Sequence, residues 1–595
     1  MVKDNRDQIL RNIFWIGILF NIILGGVIIF IPNYDEDWYF SYYYLIVGIP
    51  YGPESLDPHL AWDSPSIDVI NQVAEGLYKY HHEGMTHTAI PNLATGFIKD
   101  NLTYIFSLTQ NASFHDGRGF NATHVKKSFD RLHYFLNATG AISNPDDITP
   151  LSDLYEWADG TFIINTTEIN SEFSINITLN REFEPFLDLL CFSASYIFIP
   201  IDAKGQETLW QDYMTTSTDG FLGTGPWIYN HYEDDIEVVF NYNPTYWKGA
   251  SELKKLIFSV IGNANAINQA LLAGDIDFID DPLTDFIPIF EEDPHITLKN
   301  NGQSMVIQYL GMNNQHLNIT WRQVISHIFD YDFVIINSLL NGYAKRLESP
   351  IPLGITGANW IHQEAIYNLT KARIIMQSMG FGYDKYGNPW GILNTFEDNY
   401  NWTTAAQLTP FRFLNFTYHS GNQFREDLFY MLVNQFELIG VELNAAIISW
   451  DDFLNRVYER GIFNRNMLEL YWIGWGPDYN DPSNYINPLF TNRSVASNSA
   501  QYNGFQAAVE AGRNPYYLWD NVQLLMEEAL EETNQTTRTA MYNRIQQILV
   551  EEDMPWVYGY VSIDYDAHIR GLYGYPYNNM GELYFYPCRV NIPPI

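Results

Sequence analysis

The sequence predicts an α/β protein built from two or three sub-domains, with one membrane-spanning helix at its N-terminus. Three observations carry this: helical and strand periodicities alternate along the chain, 595 residues exceed what one core organises, and an early apolar run is long enough to cross a bilayer.

The apolar run, Ile13 to Ile31, is broken only by Asn21 and three glycines. At about 1.5 Å per helical residue it approaches the span of a hydrocarbon core. Lys3, Arg6 and Arg11 precede it and Asp35, Glu36 and Asp37 follow it. The positive-inside bias therefore makes 1–12 a cytoplasmic tail, 13–32 the anchor and 33–44 a juxtamembrane linker, with the remainder outside. Trp38, Tyr39, Phe40 and Tyr42 to Tyr44 suit the membrane interface. A cleaved signal peptide is the competing reading, but no small-residue cleavage site follows the run and no cysteine stands there for a lipid. No second run of this kind occurs downstream, so the chain forms no channel by itself and transport would need a membrane partner.

An extracellular location agrees with Asn-x-Ser/Thr acceptors at Asn101, Asn111, Asn121, Asn137, Asn165, Asn176, Asn318, Asn368, Asn401, Asn415, Asn492 and Asn534, all candidates for glycosylation. A net charge of -38, from 32 Lys+Arg against 70 Asp+Glu, excludes nucleic acid as a partner and disfavours broad docking on anionic lipid. With 46% hydrophobic and 16% aromatic residues the chain is a folded protein, not a disordered one. Cys191 and Cys588 are its only cysteines, too few for a disulfide framework or a thiolate zinc site; whether they pair is open at this point.

After the linker, Leu45 to Ile49 reads as a buried strand ended by Pro50, Gly52 and Pro53, and Ser66 to Leu77 as a helix. Tyr104 to Leu108, Ile163 with Ile164, Phe173 to Leu179, Val238 to Tyr242, Met305 to Met312 and Phe413 to Tyr418 read as strands. Ala264 to Ala273, Trp321 to Asn341, Ala365 to Met379, Arg425 to Gly440 and Tyr517 to Glu532 carry helical spacing. No long Gly/Ser/Pro linker separates them, so the sub-domains interleave.

Catalytic constellations fail on spacing. His82 and His87 stand one residue too far apart for a zinc-peptidase helix, no Gly-x-Ser-x-Gly elbow occurs, and Gly223-Thr224-Gly225 lacks a phosphate-loop lysine. Asp275, Asp277, Asp280 and Asp281 read as solvated turn residues of an acidic chain. No catalytic residue, metal or cofactor is expected.

A series of motifs runs in order: Ser55-Leu56-Asp57-Pro58-His59, Gln72 to Leu77, Pro91 to Ala94, Phe114-His115-Asp116-Gly117, Ser128 to Leu132, Gly223 to Trp227, Asn243 to Trp247, Ala273 to Asp277, Arg322-Gln323-Val324 with Phe329-Asp330-Tyr331, and Gly474 to Pro482. In this order they resemble the family 5 extracellular solute-binding proteins, the dipeptide, oligopeptide and nickel binders of ABC importers. The resemblance covers nearly all of 45–580. It implies a two-lobed, type II periplasmic-binding-protein-like fold of the large cluster: lobe 1 over 45–304 with an extra sub-domain at about 78–221, lobe 2 over 305–555, and a return to lobe 1 over 556–595. Met305 to Met312 and Pro555 to Ser562 would be the hinge strands.

The resemblance also implies a site. Asp478 would meet a peptide's free amine, with Trp475, Gly476, Tyr479 and Trp472 beside it and Trp62 approaching from lobe 1. Some peptide-binding relatives carry a basic residue where this chain has Trp472; its absence leaves longer peptides or oligosaccharides open. The implied partners are a peptide or oligosaccharide ligand and ABC permease subunits. A surface hydrolase, or presentation of the ligand to a signalling receptor, are the competing functions.

Overall fold

In the computed structural model the described residues are 43–61, 63–81, 88–136, 151–157, 159–201, 220–331, 340–362, 365–382, 402–403, 405–407, 410–458, 468–492 and 497–591. The tail 1–12, the anchor 13–32, the linker up to residue 42, Trp62, the His82 to His87 segment, Asn137 and Asn401 lie outside the described residues. Among the described residues no helix is long and apolar enough to cross a membrane.

One sheet, of eleven strands among the described residues, runs through the molecule. Its first half is Trp227–Glu233, Glu237–Tyr242, Lys255–Val260, Tyr44–Ile49 and Phe278–Asp280, and its second half Leu470–Trp475, Arg412–His419 and Val441–Ile448. Tyr44–Ile49 has parallel neighbours on both sides, which is why it reads as an unbroken apolar run. Two long antiparallel strands, Ile296–Met312 and Trp556–Ile569, join the halves. Their pairing slips register between Gln303 and Ile307. Below the slip, Phe278 pairs with His568; above it, Ile307 pairs with both Val561 and Trp475. The irregularity thus falls where the strands pass from one half to the other.

Each half has its own core. Val47, Trp227 and Phe258 pack with Phe585 and Cys588, so both ends of the described chain meet in the first half. Leu310, Phe416, Leu432 and Trp472 form the second. A separate antiparallel sheet, Ala94–Asp100, Thr103–Leu108, Ser174–Leu179 and Ile164–Ser171, carries helix Ala122–Phe135 on its side. Cys191 and Cys588 are separate buried thiols in different cores.

Caps account for where the helices differ from the periodicity. Asn263 caps Ala264–Ala273 and Gly274, at φ 71°, ends it, so this helix matches its predicted span. Asn368 caps Leu369–Ser378 and Asn521 caps Val522–Glu531, which delays both starts. Of the helix expected over Trp321 to Asn341, residues 332–339 lie outside the described residues, and the first part is Ile319–Ile328: Phe329 turns extended and buries itself with Tyr331 in the second core. Tertiary packing there outweighs the local periodicity.

Candidate ligand-binding site

Most of the sequence motifs turn out to be scaffold. Arg131 Nη1 donates to Asp57 Oδ1 at 2.7 Å, and its Nη2 donates to Oδ2, uniting two motifs in one buried ion pair. Glu75 gathers three more: Thr224 Oγ1, Tyr246 Oη and Trp247 Nε1 each donate to it at 2.8 Å, and Lys248 Nζ at 2.9 Å. Gly223 and Gly225 are glycines because a Cβ would come within 1.9 and 2.6 Å of the Val73 carbonyl oxygen.

Between the halves of the sheet lies a cavity of about 550 Å³. Strand Leu470–Trp475 delivers Gly474 to Asp478 to its second-half wall. The Asp478 backbone N–H donates to Asn484 Oδ1 at 2.9 Å and Asn484 Nδ2 donates back to Asp478 Oδ2 at 2.8 Å, so the loop is held at both ends of one residue. Burial pushes the Asp478 carboxyl up to about 7, against the opposing hydrogen bond from Asn484. Asp481, three residues on, is instead gripped by both Arg538 Nη atoms at 2.8 Å.

The cavity brings together Asp478, Trp475 and Gly476 among the expected site residues. Trp472 and Tyr479 are corrections. Side chains alternate along a strand, and Trp472, on the face opposite Trp475, packs between Phe329 and Tyr560 with its Nε1 donating to Gln308 Oε1 at 3.1 Å. Tyr479 is core as well, 2% exposed and bonded through its hydroxyl to Ser483.

Arg425 is the cationic cavity residue that sequence reasoning missed, among the described lining residues. It stands in the first turn of helix Gln423–Glu437, where its backbone N–H donates to the capping Asn422 Oδ1 at 3.0 Å. Its guanidinium lies over Phe453 and Trp450, 5.2 and 5.7 Å from the ring centres. A cation at a helix N-terminus opposes the helix dipole, and that local conflict was the available signal. Trp450 also stacks at 6.2 Å on Tyr51, which reaches over from the first half.

Of the aspartates read as solvated turns, Asp275, Asp280 and Asp281 are exposed and Asp277 is half-buried. Asp280 opens onto the cavity with Asp63, Asp68, Glu54 and Glu582, and Asp277 Oδ2 accepts the Ile46 backbone N–H at 2.8 Å. Burial raises Asp68 to about 8 and Glu582 to about 7, and Asp280 is raised by burial and by neighbouring acids. Of the described glycosylation acceptors, Asn101, Asn111, Asn165, Asn318, Asn368, Asn415, Asn492 and Asn534 are exposed and Asn121 and Asn176 half-buried; none lines the cavity.

The family model for bacterial extracellular solute-binding proteins, family 5, matches residues 88–497, a span that holds Arg425 and the Gly474 to Asp478 loop. The chain belongs to this family. Family 5 members are solute-binding proteins of ABC transporters and not enzymes. Among curated relatives the chain is 23% identical over 516 residues to heme-binding protein A of Haemophilus influenzae, covering 83% of this chain and 82% of that one. It is 24% identical over 518 residues to glutathione-binding protein GsiB of Pectobacterium atrosepticum, covering 85% and 86%. The two-lobed fold is shared with the periplasmic binding protein DppA of Helicobacter pylori, solved with the peptide STSA, at TM-score 0.73 and 20% identity over 92% of this chain and 98% of that one.

Proposed function

We propose that this family 5 protein captures short peptides with a free amino terminus outside the cell and delivers them to an ABC permease. The observation that carries this is the pairing of a carboxylate, Asp478, with a guanidinium, Arg425, in one cavity walled by aromatic residues. A peptide's terminal ammonium and carboxylate are the complementary charges, and each would form a charge-assisted hydrogen bond in a place shielded from water. A carboxyl held near 7 when empty is an acceptor whose desolvation an ammonium relieves. About 550 Å³ falls in the range of small-ligand pockets. The register slip between Gln303 and Ile307 supports a hinge there, with the lobes closing over the ligand.

Other ligands fit less well. The first-half wall would repel the carboxylates of heme or glutathione, the ligands in the relatives' names. The stacked Tyr51 and Trp450, with Trp475, favour an oligosaccharide as the second reading. Mass spectrometry of ligand released from the purified protein separates the two: peptide masses support the proposal, and a hexose ladder would replace it.

Attachment belongs to the same proposal. Ile13 to Ile31 and its flanking charges support an anchor at 13–32 with the binding domain outside, and the exposed acceptors support glycosylation. The anchored chain stays with membranes after alkaline extraction and shrinks on glycosidase treatment; a chain fully released by alkali, or of unchanged mass, removes the corresponding part.

A further inference from the structure

We infer that the captured peptide carries positive charge beyond its terminal amine, so that the cavity selects lysine- or arginine-bearing peptides. This rests on the peptide reading above and deepens it. Among the described lining residues six are carboxylates, Glu54, Asp63, Asp68, Asp280, Asp478 and Glu582, against one guanidinium, Arg425. Asp478 is matched by the terminal amine and Arg425 by the terminal carboxylate. The first-half wall is then left with an excess of carboxyl groups facing the same space, which an incoming cation would hold ionised.

That excess is built into the site. Asp63 lines the cavity, is only 9% exposed and caps helix Ser64–Val73, its Oδ2 accepting the Ser66 backbone N–H at 3.1 Å, and no cation is paired with it among the described residues. Asp68 accepts a backbone N–H from Leu583 at 3.3 Å and feels the charges of Glu582 and Asp63. Lys79 acts on Glu582 from a smaller neighbouring cavity. Two buried acids of the scaffold are by contrast paired with arginine, Asp57 with Arg131 and Asp481 with Arg538.

The charge suits an extended cationic chain. Among the described residues no three His, Cys, Asp or Glu side chains lie close enough to share one metal ion. Asp63 caps helix Ser64–Val73 and Asp68 lies midway along it, Asp280 is at the end of strand Phe278–Asp280 and Glu582 in the C-terminal segment, so the carboxylates are spread along a wall. An ammonium with three donors, or a guanidinium with five, can bridge such separated acceptors. Acidic peptides would bring a further carboxylate to a wall that carries no cation among the described residues and are disfavoured.

The test titrates the full-length chain by calorimetry at pH 7.5 with trialanine and with its single-lysine and single-glutamate variants at each position. At least one lysine variant is expected to bind about tenfold or more tightly than trialanine and the glutamate variants more weakly. The lysine preference should collapse in the Asp68→Asn/Glu582→Gln double variant and shrink with added salt. If trialanine binds and no lysine variant binds more tightly, the inference fails and the peptide reading stands. If no peptide of the panel binds, the peptide reading fails and takes the inference with it.

Discussion

Two populations of enclosed carboxylates in this protein keep different company. Asp57, Asp481 and Asp553 in the scaffold are each met by an arginine, Arg131, Arg538 and Arg513. Asp63, Asp68 and Asp478 along the cavity are met instead by backbone N–H groups or by an asparagine. Moving a charge out of water costs several kcal/mol unless a counter-charge comes with it. In the first population the counter-charge is in the chain and contributes to a fixed shape. In the second it is left for a ligand to bring, so binding energy is stored where the fold has withheld a partner.

The sharpest way to break this comparison is to strip a scaffold pair. Arg131→Met leaves Asp57 buried and uncompensated, 2% exposed, and should cost about 3–5 kcal/mol of stability in urea unfolding. A loss below about 1 kcal/mol would mean that the scaffold pairs do not differ from the cavity acids. A smaller effect is expected at Arg425→Met: a peptide with a free C-terminal carboxylate should lose about 2–3 kcal/mol of affinity while its C-terminal amide changes little. Equal losses for acid and amide would assign Arg425 to packing on Trp450 and Phe453.

The smallest effect lies on the cavity side. Asp68→Asn should leave the empty protein as stable as before or raise it by up to about 1 kcal/mol, because it removes a carboxyl whose charged form the fold does not satisfy. The pH dependence follows the same sign. Asp68 sits at about 8 and Asp478 and Glu582 at about 7 in the folded protein, above the ordinary carboxylate range. The native state therefore holds protons that the unfolded chain has released, and the stability of the empty protein falls as pH rises from about 6.5 to 8. His115 and His419, lowered to about 4 by burial, act oppositely only below about 6.5, and Lys79, lowered to about 8, only above that window. A thermal midpoint that rises between pH 6.5 and 8 would contradict the raised carboxylates. Saturation with a lysine-bearing peptide should flatten the decline.

The sequence made the scaffold more legible than the site, for a physical reason. Asn263 and Gly274 are local signals, and the helix between them needs nothing distant. The motifs holding Asp57, Arg131 and Glu75 recur as short patterns because they lock neighbouring elements together. Asp478, Trp475 and Gly476 were legible because one such motif ends in the cavity. Trp472 misled because adjacency in a strand puts alternate residues on opposite faces. Arg425 belongs to no motif. The acidic wall draws on positions 63, 68, 280 and 582, which only the tertiary fold brings to one surface.

The most direct test compares trialanine with N-acetyl-trialanine by calorimetric titration of the wild-type chain and of Asp478→Asn. Wild type should bind the free amine at least about a hundredfold more tightly than the acetylated peptide, and Asp478→Asn should erase the difference. Equal affinity of wild type for the two peptides would contradict capture of a free amine at Asp478.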